Sequence, residues 1–368
     1  MRVQYVLAIA AFLIVAGCHH EAPVEAPKTV VALYADLLSK MPSTAQATTY
    51  DLRTADGQAA LKAALKPYDA TLDEAHGVLN FPTYSEGFMV ATGRDDPGMV
   101  KTAVALKNLL YMLVARARLA CAGGQISKGR EDFNAAARVA VHASQNSGSA
   151  LQVLVDVALR EIVLTGLRET TMDTSLDAAN DRALSKIAES LLELAPLSTA
   201  MKQELRATGE EARSKPKEAA KDRKQIPIII AALSKEGTDS AGTLKRLRAL
   251  SGTDAFPADA AATTKMSDFQ WTQVIYKEVV KVQADTRMTI AFFNALAEDD
   301  AHGKLPNSLP ASGALARDPF GSGQLSYRAK TGGFTLTAPA SKGILSLPSG
   351  ATVETLAYPL KSYVPAKI

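Results

Sequence analysis

The chain has 368 residues, 47% hydrophobic and 21% charged, with 41 Lys and Arg against 38 Asp and Glu for a net charge of +3. That balance suits a folded body with a substantial core and excludes a disordered chain. It also supplies no electrostatic drive towards nucleic acid or an acidic membrane surface. The length suggests two domains or one elongated array. With only Cys18 and Cys121, a disulfide scaffold is excluded too.

The first element is an apolar run, Val3 to Val15, behind the single charge of Arg2 and ahead of the small pair Ala16-Gly17. This layout reads as a secretory signal peptide. The run is too short for a membrane span, which needs about 20 apolar residues. The segment after Cys18, His-His-Glu-Ala-Pro-Val-Glu-Ala-Pro-Lys, has two prolines and few apolar side chains, so an extended tether is expected over 18–28. His19 and His20 are incidental on such a tether rather than metal ligands.

From Val30 helical periodicity takes over. Leu106, Leu109, Leu110, Leu113, Ala117 and Ala120 share one helix face. Gly123-Gly124 stops that helix, and Ser127 is the expected cap of the next, whose stripe is Phe133, Ala136, Ala137 and Ala140. After Asn146-Ser147-Gly148, Leu151, Leu154, Val155, Ala158 and Ile162 form a third stripe. Leu184, Ile187, Ala188, Leu191 and Ala195 form a fourth, ending before Pro196. Short turns between such helices favour antiparallel neighbours. The charged stretch Arg206 to Lys224 reads as an exposed helix end or linker with a solvated face, and Ile226 to Ile230 as a plug into the core.

A long helix is expected from about Met266 to Glu298, with Trp271 near its start and Ile275, Val279, Val282, Ile290, Phe293 and Leu296 along its stripe. Beyond His302-Gly303, short alternating runs around Thr331-Gly332-Gly333 predict a hairpin carrying Tyr327 and Phe334, packed on the helix face of Ile290 and Phe293. The fold class is therefore mainly α: an irregular antiparallel helical array over 29–265, then a long helix and a small antiparallel β module over 266–368.

Four resemblances add to this reading. Leu13-Ile-Val-Ala-Gly-Cys18 resembles the bacterial lipoprotein box, which implies a signal peptide over 1–17 and a diacylglycerol on Cys18 as first residue of the mature chain. The alanine-rich pair from Val104 to Ala143 resembles a tetratricopeptide-type helical hairpin, without a clean repeat. Asp300-Ala-His-Gly-Lys-Leu-Pro306, Asp318-Pro-Phe-Gly321, Leu325-Ser-Tyr327 and Gly333-Phe-Thr-Leu336 follow the order seen in type II secretion major pseudopilins. The acidic calcium loop of that family has no counterpart in Ala338 to Gly343, so only its fold module is implied. Helical body plus tail, with Phe81-Pro-Thr-Tyr84, is similar to a group of planctomycete-type envelope proteins, a likeness of architecture rather than chemistry.

No residue pattern announces catalysis. Gly-x-Ser-x-Gly, a phosphate loop, His-x-x-x-His and Cys-x-x-Cys spacings do not occur. The carboxylate pairs Asp95-Asp96, Glu210-Glu211 and Asp299-Asp300 sit in polar, turn-like surroundings. Ser149 reads as a helix cap and Cys121 as a buried, inert thiol. His142 is the one position to watch, as a packed histidine or as the partner of Cys121. The function expected is a lipid-anchored, non-enzymatic scaffold with no cofactor or metal, on the periplasmic face of the outer membrane, binding a protein or peptide partner and no nucleic acid. The rivals are an envelope hydrolase or glycan-binding enzyme, with His142 and a nearby carboxylate, and an accessory part of a secretion or pilus apparatus.

Overall fold

The computed structural model describes residues 30–42, 50–84, 97–145, 147–211, 216–252, 266–321, 323–330, 333–338 and 355–359. The signal-peptide, tether and Cys18 expectations fall outside these residues. The chain is mainly α, as the periodicities predict.

Short helices come first: α1 (Val30–Ser39), α2 (Ala55–Leu65) and α3 (Asp69–Ala75), with 3-10 turns at Lys66–Tyr68 and His76–Asn80. The central body follows as α4 (Pro97–Ala122), α5 (Ile126–Ser144), α6 (Ala150–Asp173) and α7 (Ala178–Glu189). Then come α8 (Leu197–Glu211), α9 (Pro216–Ala232), α10 (Ser240–Ser251) and α11 (Asp268–His302).

The hairpin α4–α5 forms where expected, but not with the expected cap. Its turn is closed by backbone alone: Gln125 N–H donates to Ala120 O at 2.8 Å, and Gly124 N–H to Cys121 O at 2.9 Å. Gly124 supplies the left-handed φ of 77° that this motif requires. Helix α5 begins at Ile126 after Gln125, with no side-chain cap, so Ser127 lies inside the helix. Ser149 does cap α6, accepting from Gln152 N at 3.2 Å.

The ion pairs give the helix directions. Arg116 on α4 meets Asp132 on α5, and Arg118 on α4 meets Asp173 on α6. Glu161 and Arg168 on α6 meet Lys281 and Asp285 on α11. Residue numbers rise together for α6 and α11, and also for α4 and α6, where Gly166 meets Val114 before Asp173 meets Arg118, so the three helices run parallel with α6 in the middle. Gly129 against Cys121 and Asp132 against Arg116 make α5 antiparallel to α4. The α4–α6 approach depends on Gly166, where an added Cβ would lie 2.2 Å from Val114 Cγ1.

The charged stretch Arg206 to Lys224 is divided between α8 and α9. Lys217, Lys221, Arg223 and Lys224 face solvent, while Asp222 is buried. Pro227 sits within α9, with Ile226 and Ile229 in the core and Ile228 exposed. Thus only part of Ile226 to Ile230 plugs into the core.

Helix α11 starts with a capping box, Ser267 with Gln270, and continues to His302, where Gly303 at φ 68° ends it. It therefore runs a turn past Glu298, because Asp299 to His302 continue the helix instead of opening the turn. After it, Asp318 O accepts from Gly321 N at 3.2 Å and Asp318 Oδ1 from Phe320 N at 2.9 Å, closing the Asp-Pro-Phe-Gly turn. Strands β1 (Ser326–Lys330), β2 (Gly333–Thr337) and β3 (Thr355–Pro359) form an antiparallel sheet in the order β1-β2-β3. Tyr327 pairs with Leu336 and Ala329 with Phe334. One apolar core runs from Tyr34 on α1 to Ala338 after β2, across the boundary expected near residue 265.

Candidate functional site

Cys121 and His142 do not meet. Cys121 lies at the turn end of the α4–α5 hairpin, where a Cβ on Gly129 would come within 2.4 Å of its Sγ. His142 lies on α5 13 residues beyond Gly129, about 20 Å along the helix. Burial pushes the Cys121 thiol up to about 12, and the charges of Asp173 and Asp132 add to the effect. A maleimide should therefore label native Cys121 far more slowly than the denatured chain; equal rates would show the thiol to be accessible.

His142 is held as a neutral ring. Its Nε2–H donates to Phe81 O at 2.9 Å, which leaves Nδ1 to accept from Tyr34 Oη at 2.6 Å. Tyr84 packs on both rings, 5.4 Å from Tyr34 and 6.1 Å from His142. The sequence has thus placed a clamp here, tying α1 and the Phe81 segment to α5. Burial lowers the His142 pKa to about 4, so the folded state resists the proton that the unfolded chain takes up. Its contribution to stability is complete above the unfolded pKa of about 6.5 and is lost as pH falls towards 4. The stability gap between wild type and His142→Gln should narrow by roughly 1.4 kcal/mol per pH unit across that window. A gap that stays constant with pH would show that His142 is solvated.

The histidine beside a buried carboxylate is His76, which the sequence did not single out. His76 Nε2 lies 2.6 Å from Asp132 Oδ1. Asp132 also accepts from Arg116, at 3.0 Å from Nε and 2.6 Å from Nη2, while Arg116 Nη1 reaches Asp73 at 2.7 Å. Asp132 and Arg116 are buried, so the cluster ties α3, α4 and α5 together in a poorly solvated place. Among the described residues nothing is hydrogen-bonded to His76 Nδ1.

Other expected positions prove structural or lie elsewhere. Asp299 accepts the capping bond from Gly303, and His302 is an exposed partner of Glu298 at 3.3 Å. His19, His20, Asp95 and Asp96, with the side chains of Glu210 and Glu211, are outside the described residues. Among the described residues no group of three His, Cys, Asp or Glu could hold a metal ion, and no helix is long and apolar enough to cross a membrane.

The open side of the α4–α6–α11 layer gathers a different set of groups. Leu151, Val155 and Ala158, expected in the core stripe of α6, are only half-buried. With Thr165, Glu169 and Met172 they form a solvent-facing strip between the flanks that touch α4 and α11. Lys281 Nζ bridges Glu161 at 2.6 Å and Glu278 at 3.0 Å across one edge. Burial raises the Glu161 pKa, and the neighbouring Glu278 and Asp285 oppose the relief that Lys281 provides. Burial works against the Lys281 ammonium as well, yet Glu278 and Glu161 outweigh it and hold its pKa above the usual lysine value. On the α4 edge Tyr111 is exposed, with Lys107 Nζ 5.5 Å from its ring centroid.

Set against known proteins, the chain matches no protein-family model, no curated protein and no solved structure.

Proposed function

We propose that this protein is a lipid-anchored, non-enzymatic interaction module of the bacterial cell envelope. The observation that carries the reading is the α6 strip, a row from Leu151, Val155 and Ala158 to Thr165, Glu169 and Met172 left open along a helix that is otherwise core. Parallel packed helices lie about 8–10 Å apart, which makes such a strip a shallow groove suited to a protein or peptide segment. The lipobox-like Leu13 to Cys18 supports an anchor by diacylglycerol on Cys18, and we place it on the periplasmic face of the outer membrane. A fatty-acid analogue should label the wild type and spare Cys18→Ala; equal labelling would end the anchored reading.

The rival, an envelope hydrolase, is favoured by one observation only, the His76–Asp132 pair, in which a carboxylate orients an imidazole. It requires a substrate that the wild type hydrolyses and His76→Ala does not. Among the described residues no hydroxyl or thiol is bonded to the free side of His76, so the interaction reading is preferred. A role beside a secretion or pilus apparatus rests on the resemblance of the tail to pseudopilins.

A further inference from the structure

The net charge of +3 is unevenly spread. Residues 197–252, which carry α8, α9 and α10, hold twelve Lys and Arg against seven Asp and Glu, so the rest of the chain is slightly acidic. Part of that excess stands on one line of α9. Lys217, Lys221, Lys224 and Ile228 follow at spacings of four, three and four residues, which stacks them on one side of the helix. All four are exposed, with Ala220, Pro227 and Ala231 beside them, while Asp222, Ile226 and Ile229 are buried on the opposite side. Ile228 is 47% exposed on a helix whose other isoleucines are buried or half-buried. Lys221 is paired with Asp268 at 3.0 Å, and among the described residues no carboxylate is paired with Lys217, Arg223, Lys224 or Lys235. The neighbouring acids are engaged elsewhere: Glu204 accepts from Ala150 N, Glu236 from Leu197 N and Ser198 N, and Asp239 caps α10 and meets Arg246 at 3.6 Å. Glu218 occupies a position about 100° round the helix from Lys217, off this line.

From this arrangement we infer that the outer face of α9 rests on an anionic phospholipid bilayer, with Lys217, Lys221 and Lys224 among the headgroup phosphates and Ile228 dipping between them. The inference rests on the lipid-anchored part of the proposed function and says which face of the anchored body meets the membrane. The stretch from Cys18 to Val30 spans at most about 40 Å when extended, so an anchored body stays close enough for a weak surface contact to form again and again. Each lysine or arginine near an anionic surface strengthens attachment roughly fivefold. One exposed isoleucine among small residues is too little apolar surface for deep insertion, so the contact is a shallow one held by charge. Lysine suits that role. A flexible point charge follows a fluid, diffuse negative surface, whereas a fixed carboxylate on a partner protein favours the planar fork of arginine.

The test places a dye on this face of the full lipidated chain. Ala231→Cys is labelled with an environment-sensitive fluorophore, Cys121 being buried, and reconstituted on phosphatidylcholine vesicles with and without phosphatidylglycerol. Phosphatidylglycerol should shift the emission to the blue and allow quenching by brominated lipid, and added salt should reverse both. Lys217→Glu with Lys224→Glu should abolish the shift, whereas Lys62→Glu with Lys66→Glu, exposed on and just after α2, should leave it. Equal emission on both kinds of vesicle, or a shift that survives the α9 reversals, would overturn the inference. A shift produced by soluble polyglutamate and not by phosphatidylglycerol would also overturn it, in favour of an acidic protein. Flotation separates this result from the anchor, because in high salt on phosphatidylcholine vesicles only the diacylglycerol holds the chain. A chain that floats there while the dye stays silent on phosphatidylglycerol refutes the bilayer face and leaves the anchor standing. One that floats only with phosphatidylglycerol at low salt refutes the anchor and leaves the bilayer face standing.

Discussion

Arg160→Met is expected to lower the unfolding free energy by about 3–5 kcal/mol, the cost of leaving a buried charge without its partner. Arg160 is fully buried on α6, among the largest side chains in the core. Its Nε donates to Asp156 Oδ1 at 2.9 Å, its Nη2 to Ser144 Oγ at 2.9 Å, and its Nη1 to the carbonyl of Leu191. Three separate segments are therefore tied through one guanidinium. Asp156 is satisfied on one side only, since Oδ2 has no hydrogen-bond partner. Burial raises its pKa to about 6 even with Arg160 opposing the shift. A folded-state pKa above the unfolded one means that the Asp156 contribution is complete below about pH 4 and is lost as pH rises through 6. Removing Arg160 would push that carboxyl higher still and leave Leu191 O without its donor. The double variant Arg160→Met with Asp156→Leu should recover most of the loss, because an apolar pair of similar volume has no charge to desolvate. Urea titrations of the three proteins decide it. A loss below 1 kcal/mol in the single variant would mean that the nest is open to water.

Phe292→Ala should cost about 3–5 kcal/mol as well, and its effect should be felt first in the sheet. The hairpin was expected to rest on Phe293. Phe293 is indeed fully buried, but the ring against the strand is Phe292. It lies 5.5 Å from Phe334, which lies 5.7 Å from Tyr327, so an aromatic chain runs from α11 through β2 to β1. Phe293 meets Phe292 edge-on at 5.1 Å. Two short strands are marginal in water without such a floor. Hydrogen exchange on Phe292→Ala should quicken in Tyr327–Lys330 and Gly333–Thr337 before it changes around Leu109. Uniform quickening across all helices would show that the sheet and the body open together.

How much of this was readable from residues depends on the range of the interaction. Leu106, Leu109, Leu110 and Leu113 repeat at helical spacing and are all fully buried. Ser149 caps its own helix three residues on, and Tyr327 and Phe334 lie on paired strands as their alternating runs predict. These are local or periodic signals. The clusters that hold helices together join residues far apart: Tyr34 with His142, His76 with Asp132, Arg168 with Asp285. No spacing rule pairs residues that meet only after the chain has folded. Helix α6 shows a subtler failure. Its apolar spacing was sound, but with α4 and α11 on either flank and α5 beneath, most of its circumference is core. Of the expected stripe, Leu154 and Ile162 are in the core, whereas Leu151, Val155 and Ala158 turn out to lie on the open side. Periodicity reports that a helix is amphipathic, not which of its neighbours is missing.

Helix α11 completes a layer whose other members, α4 and α6, precede it by more than a hundred and by roughly ninety residues of chain. A polypeptide made or moved from its N-terminus forward presents α6 long before the segment from Lys281 to Thr289 exists to cover it. In that interval Arg168 and Glu161 have no counter-ions, and the flank of α6 that α11 will cover stays bare. The body cannot close until most of the chain is available, and contacts of such long sequence separation form slowly. A molecule whose central helix waits for one so far downstream keeps that helix uncovered until the segment from Lys281 to Thr289 has been made.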